Sequence, residues 1–237
     1  MKRLGATLQK FLAGRVAVLW AVGCVVAGCA SGPTPPDWQA DALQALQDAQ
    51  AAYLKGDTAG EVRQFERARS EIARTGQLAL MARAELMRCA AHAASLVFEP
   101  CAGYEALQAD AAPPERAYAA HLAGRATAQD LALLPQAQRA VASASANPET
   151  ALAALKAQAD PLSRLVAAAL LFQAGRASPA TVQLAVDTAS EQGWRRPLLA
   201  WLSVQRERAE KSGDMAEAAR LRRRIDFVLG PTVKPVP

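Results

Sequence analysis

The sequence predicts an all-α protein, with antiparallel helical hairpins stacked as an α-solenoid or packed as an irregular helical bundle. Three observations carry this. The chain is rich in strong helix formers, with 57 Ala among 237 residues and Leu, Arg, Gln and Glu frequent beside them. Apolar residues recur at three- and four-residue steps through one segment after another. No stretch shows the apolar–polar alternation of a half-buried strand, and Gly, Pro or a capping side chain stands at the ends of the periodic segments.

Trp38 to Leu54 is the first helix, with Leu43, Leu46, Ala49 and Tyr53 as its apolar stripe. Lys55-Gly56-Asp57 ends it, with Gly as the C-terminal cap. Thr58 and Glu61 read as a capping box, a hydroxyl answered by a carboxylate three residues on. They open a second helix to about Thr75, with Val62, Phe65, Ala68 and Ile72 inward. Beyond Gly76 a third helix, Leu78 to Val97, carries Leu80, Leu86, Met87 and Leu96. Ala112-Pro113-Pro114 opens a helix to about Ala123, closed by Gly124. Short helices follow at Ala128 to Leu134, ended by Pro135, and at Gln136 to Ala144. Three further starts share one device, a capping side chain and then Pro in the first turn: Asn147-Pro148, Asp160-Pro161 and Ser178-Pro179. After Asp160, residues Leu162, Leu165, Val166, Ala169 and Leu170 share a face, followed by Phe172 and a stop at Gly175. Gly193 ends the next helix. Trp194 to Lys211 offers Leu198, Leu199, Trp201, Leu202 and Val204 to the core, and Asp214 to Leu229 is the last helix, stopped by Gly230-Pro231.

Tyr53, Gly56, Asp57, Val62, Phe65 and Ala68, around the turn of the first hairpin, make it resemble a tetratricopeptide repeat. Ser212-Gly213-Asp214-Met215-Ala216-Glu217-Ala218 looks like the same turn. The resemblance implies stacked helical hairpins with a concave binding face. It departs from the family at Glu61, where the repeat carries a small residue at the helix contact. The closing Pro and a 34-residue period are also missing.

At the N-terminus, Lys2, Arg3, Lys10 and Arg15 precede the apolar run from Val16 to Cys29, with no acid among them. A basic start, a short apolar run and a small-residue exit make a secretory signal. The run is about a dozen residues, short of the ~20 that a helix needs to cross a bilayer. Its end, Val26-Ala27-Gly28-Cys29, resembles the lipobox of bacterial lipoprotein signal peptides, a better match than Ala21-Val22-Gly23 before Cys24. The resemblance implies a signal peptide over residues 1–28 and a mature N-terminus at Cys29 that carries diacylglycerol and an acyl chain such as palmitate. Ala30 and Ser31 follow in place of Asp, which in that family implies the periplasmic face of the outer membrane. Residues 29–36, through Ala-Ser-Gly-Pro-Thr-Pro-Pro, form a tether that reaches roughly 25 Å at ~3.1 Å per residue. The helical domain is expected over 37–230 and a loose tail over 231–237. Loss of the four signal cations takes the net charge from +5 to +1, so nucleic acid loses its main support as a partner.

With Cys29 lipidated and Cys24 removed, Cys89 and Cys101 remain, and in an oxidising compartment they read as a disulfide across the turn at Pro100. Cys89, His92, Cys101 and His121 match no zinc spacing, so no metal is expected. No Gly-rich phosphate loop and no nucleophile elbow occurs, and no cofactor or catalysis is expected. Ser190-Glu191 resembles, in reversed order, the Glu-Ser pairing of lytic transglycosylases, but no lysozyme-like segment follows. Arg220, Arg222, Arg223 and Arg224, after Arg206 and Arg208, form a cationic cluster. It reads either as a solvated face paired with Asp214, Glu217 and Asp226 or as a contact for anionic headgroups or an acidic partner.

The expected role is a membrane-anchored, non-catalytic scaffold or assembly factor that binds another envelope protein. The alternative is a binder of peptidoglycan or another wall ligand, using exposed aromatics among Tyr53, Tyr104, Tyr118, Trp194 and Trp201. A cell-wall hydrolase is third and would need a buried carboxylate with a raised pKa in a cleft.

Overall fold

The computed structural model describes residues 36–230; the signal segment, Cys29, the tether up to residue 35 and the tail from residue 231 lie outside the described residues. The described chain is all-α, with no strand. Helices α1 (Asp37–Lys55) and α2 (Thr58–Ala73) form a hairpin, and α3 (Leu78–Ala94) packs on both. A single turn, α4 (Ala102–Glu105), and a 3-10 turn over Gln108–Asp110 lead to α5 (Pro113–Leu122), α6 (Ala128–Leu133), α7 (Gln136–Ala144) and α8 (Pro148–Lys156). Longer helices follow: α9 (Pro161–Gln173), α10 (Pro179–Glu191), α11 (Arg195–Lys211) and α12 (Met215–Leu229). None is long and apolar enough to cross a membrane.

Contacts between distant helices decide between the two expected architectures. In a solenoid each unit touches only its neighbours. Here α3 packs on α9 and α1 on α11, so the helices form an irregular bundle. Trp201 of α11 stands at the centre, fully buried, with its ring edge-on to Phe172 of α9 at 5.8 Å. Its indole N–H donates to the Ala94 carbonyl at 3.1 Å, one of the carbonyls that the end of α3 leaves unpaired. Leu165, Val166, Val186, Leu202 and Leu221 complete the main core around it.

Local chemistry sets the helix starts. Asn147, Asp160 and Ser178 accept from backbone amides of α8, α9 and α10, each ahead of Pro in the first turn, as expected. The expected cap at Thr58 is corrected: Asp57 caps α2, its Oδ1 accepting from Gly60 N at 2.8 Å. Glu61 is drawn elsewhere, as described below. The reciprocal box falls instead at Thr127 and Asp130, ahead of α6. α3 ends at Ala94 and not at Val97. Leu96 takes a left-handed φ of 61°, a conformation that costs a branched residue about 1–2 kcal/mol. Its amide bonds the Ala93 carbonyl at 2.8 Å, and its side chain packs against the main core, which holds it there.

Two expected core residues face solvent: Leu43 is 52 % exposed and Val62 46 %. The buried stripe of α1 is Ala42, Ala45, Ala49 and Tyr53. Small side chains win this interface because they let the hairpin close tightly. A Cβ on Gly60 would stand 3.2 Å from that of Ala52.

Candidate functional site

Three glutamates are buried along α3, at its contacts with α2 and with α5, each against arginine. Glu61, in the first turn of α2, is 3 % exposed. Its Oε1 accepts from Arg88 Nε and is in contact with His92 Nε2, both at 2.8 Å. Arg88 and His92 lie four residues apart on α3, one turn of helix, and so reach the same oxygen. Burial pushes the Glu61 carboxyl up, but the bonds from Arg88 and His92 outweigh it and hold the pKa below the usual range. The His92 ring stacks on Tyr53 at 4.1 Å, and the Arg88 guanidinium lies over Phe65 at 5.0 Å. Arg196 of α11 covers Tyr53 at 4.1 Å and donates to Thr58 Oγ1 at 2.7 Å. One carboxylate thus ties α2 to α3, and the aromatic stack extends the tie to α1 and α11.

Glu85 of α3 accepts from Arg69 of α2 at 2.5 Å, and Glu115 of α5 from Arg83 of α3 at 2.8 and 2.5 Å. Burial raises the Glu85 pKa more than Arg69 and Arg88 lower it. Gly103 of α4 lies directly on this carboxylate, and any Cβ there would overlap the Glu85 oxygens.

Beside this cluster Cys89 and Cys101 form a disulfide, with Cα atoms 6.0 Å apart. It borders two surface depressions, the smaller of about 200 Å³ and lined by Glu85, Arg88 and His92. The larger is a groove of about 420 Å³, walled by the end of α3, the loop 96–101, α4 and α5. Val97, Phe98 and Leu122 supply its apolar surface, while Glu99, Glu105, Arg116 and Arg125 bring charges of both signs. Tyr104 borders it. That residue is 4 % exposed, yet its buried hydroxyl has no hydrogen-bond partner among the described residues. Burial raises the Tyr104 pKa, so the group is a neutral donor. A second cleft, of about 300 Å³ between α5, α7 and α9, is lined by His121, Gln138, Leu170 and Arg176. Burial lowers the His121 pKa.

The residues singled out by sequence fall in separate places. Cys89 and Cys101 meet. His92 is engaged with Glu61, His121 borders the second cleft, and no group of three metal-ligating side chains occurs among the described residues. Tyr53, Tyr104 and Trp201 are buried, and Tyr118 and Trp194 are half-buried against the core. Arg208 bonds the Ala177 carbonyl at 2.8 Å, Arg206 pairs with Glu210 and Arg220 with Glu217. Arg222, Arg223 and Arg224 have no acidic partner among the described residues. Sequence reasoning missed the glutamate cluster. The signal was present in Glu61, since a carboxylate where a repeat needs a small residue has to find a cation.

No protein-family model, curated protein or solved structure matches this chain.

Proposed function

We propose that the chain is a lipid-anchored envelope protein whose helical body is a non-catalytic scaffold, and that it holds a segment of another envelope protein in the groove beside Cys89–Cys101. The observation that carries this reading is the groove itself. It combines apolar walls with charges of both signs. A disulfide and a Glu–Arg cluster stiffen the wall, so little conformational freedom is lost on binding. Glu85, buried with a raised pKa beside a cleft, meets the condition set for a hydrolase, but Arg69 bonds it and arginine holds Glu61 and Glu115 as well, which favours a scaffold. The wall-ligand alternative would draw on aromatics that instead fill the core.

The anchor reading rests on the lipobox resemblance of Val26-Ala27-Gly28-Cys29, and Ala30 and Ser31 after it support the periplasmic face of the outer membrane. Mass spectrometry of the mature N-terminus tests it, with diacylglycerol and an amide-linked acyl chain on Cys29 expected. For the groove, a photo-crosslinking residue is placed at Glu105 or Arg125 in living cells, with Arg63 on α2 as the comparison site. One discrete protein adduct from the groove sites and none from Arg63 supports the scaffold. Adducts with wall fragments alone, or the same adducts from all three sites, overturn it.

A further inference from the structure

The last helix carries a face that the bundle does not use. Ala218, Leu221 and Ile225 turn α12 into the core. On the opposite side stand Arg223 and Phe227, four residues apart and so one above the other. Phe227 is 87 % exposed, the most exposed large apolar side chain in the described body. Arg224 lies about 60° from the ring on the same side, whereas Arg222 lies about 140° away, toward the core-facing side. Of the two acids on this helix, Glu217 is held by Arg220 through two bonds of 2.6 Å, which leaves Asp226 against three unpaired arginines. The face is therefore net positive around one projecting ring.

We infer that this face of α12 docks on an anionic phospholipid surface, with Arg223 and Arg224 on headgroup phosphates and Phe227 in the interfacial layer beneath them. The charge complementarity is direct, because a bilayer presents phosphate as a plane that several arginines reach at once. An acidic protein surface would answer the arginines and leave the ring in water. A bilayer answers both, since the carbon layer begins just below the phosphates, and amphipathic helices with Arg and Phe use that step. Arg can lay its stem along the apolar side while its head stays at the phosphates. Juxtamembrane cations gain about 1 kcal/mol each near an anionic surface, or roughly five-fold per arginine in partition. The inference deepens the anchored reading: the tether would bring the body to the bilayer, and α12 would fix which side faces it.

The test reads the Phe227 ring itself. The full chain is reconstituted with vesicles of phosphatidylcholine alone, or with phosphatidylglycerol at about one lipid in three. Hydroxyl-radical labelling followed by mass spectrometry reports the accessibility of Phe227. Labelling is expected to fall several-fold on the anionic vesicles only. It should return at ~1 M salt, where the Debye length is about 3 Å, and in the variant Arg223→Glu, whose exposed site leaves folding intact. Equal labelling on both vesicle types overturns the inference. So does protection seen only in whole envelopes, which would assign the face to a protein. The mass of the N-terminus is measured in the same sample. An unmodified Cys29 is thus a separate failure from an unprotected Phe227.

Discussion

Replacing Glu61 by alanine sets two readings of one position against each other. The tetratricopeptide resemblance expects a small residue here, so Glu61→Ala should be tolerated or should stabilise the hairpin. The structure predicts the reverse. Removing one partner of a buried ion pair costs about 3–5 kcal/mol when the other charge stays buried. Here the Arg88 side chain is 35 % exposed and that of His92 26 %, so both regain some water. Discounting for that screening brings the expected loss to about 2–3 kcal/mol at neutral pH. For a body of this size each kcal/mol moves the Tm by roughly 2–4 °C, so the melt should fall by about 4–12 °C. Far-UV circular dichroism melts on parent and variant measure it. The pH dependence gives a second check. The folded pKa of Glu61 lies below its unfolded value, so its contribution is complete above the ordinary glutamate range near 4.3. That contribution is lost as the pH falls through the folded pKa. The gap between parent and variant should therefore close in acid. A variant as stable as the parent at pH 7, or a gap that ignores pH, refutes the cluster as a source of stability.

Glu85 should respond with the opposite sign. Its folded pKa is raised, so its ionisation costs stability; the cost is absent below the unfolded pKa and appears as the pH rises through the folded one. Urea titrations at pH 7 should show Glu85→Gln losing less than Glu61→Gln. Gly103→Ala should cost about 1–3 kcal/mol by overpacking against that carboxylate. Much of this loss should vanish in a Glu85→Ala background, and a double-mutant cycle measures the coupling. Cys89→Ser should lower stability by about 3 kcal/mol, as expected for a loop of this size. A reductant added during the melt should bring the parent to the same value and leave the variant unchanged.

Much of the fold could be read from local chemistry because most helix ends here are set locally. Asn147, Asp160 and Ser178 cap helices through contacts within three residues, and Pro at the next position reinforces each. The Cys89–Cys101 bridge was legible for a similar reason: only two cysteines remain after the expected processing, and they lie on either side of one turn. Misreadings arose where tertiary contacts outweighed local preference. Leu43 and Val62 fit the periodic stripe, but the hairpin closes on Ala42, Ala45 and Gly60, whose small size no hydropathy pattern rewards. Leu96 stops α3 without the glycine that usually marks such an end, because the core holds its side chain. Of the candidate site, the disulfide was visible in the sequence and the groove was not. Its walls come from α3, α4 and α5, and α4 is a single turn with no periodicity to detect.

Helices whose facing sides are mostly methyl groups are smooth. Sliding one past another by a turn exchanges alanine for alanine at little loss, so such a bundle has several nearly equivalent alignments. The glutamates at 61, 85 and 115 work against that degeneracy, because each is paired with an arginine in the observed alignment. Their service is then selection among arrangements as well as added strength. A chain with all three exchanged for uncharged residues would keep its helical circular dichroism and lose the sharp, well-spread amide spectrum of a single native state.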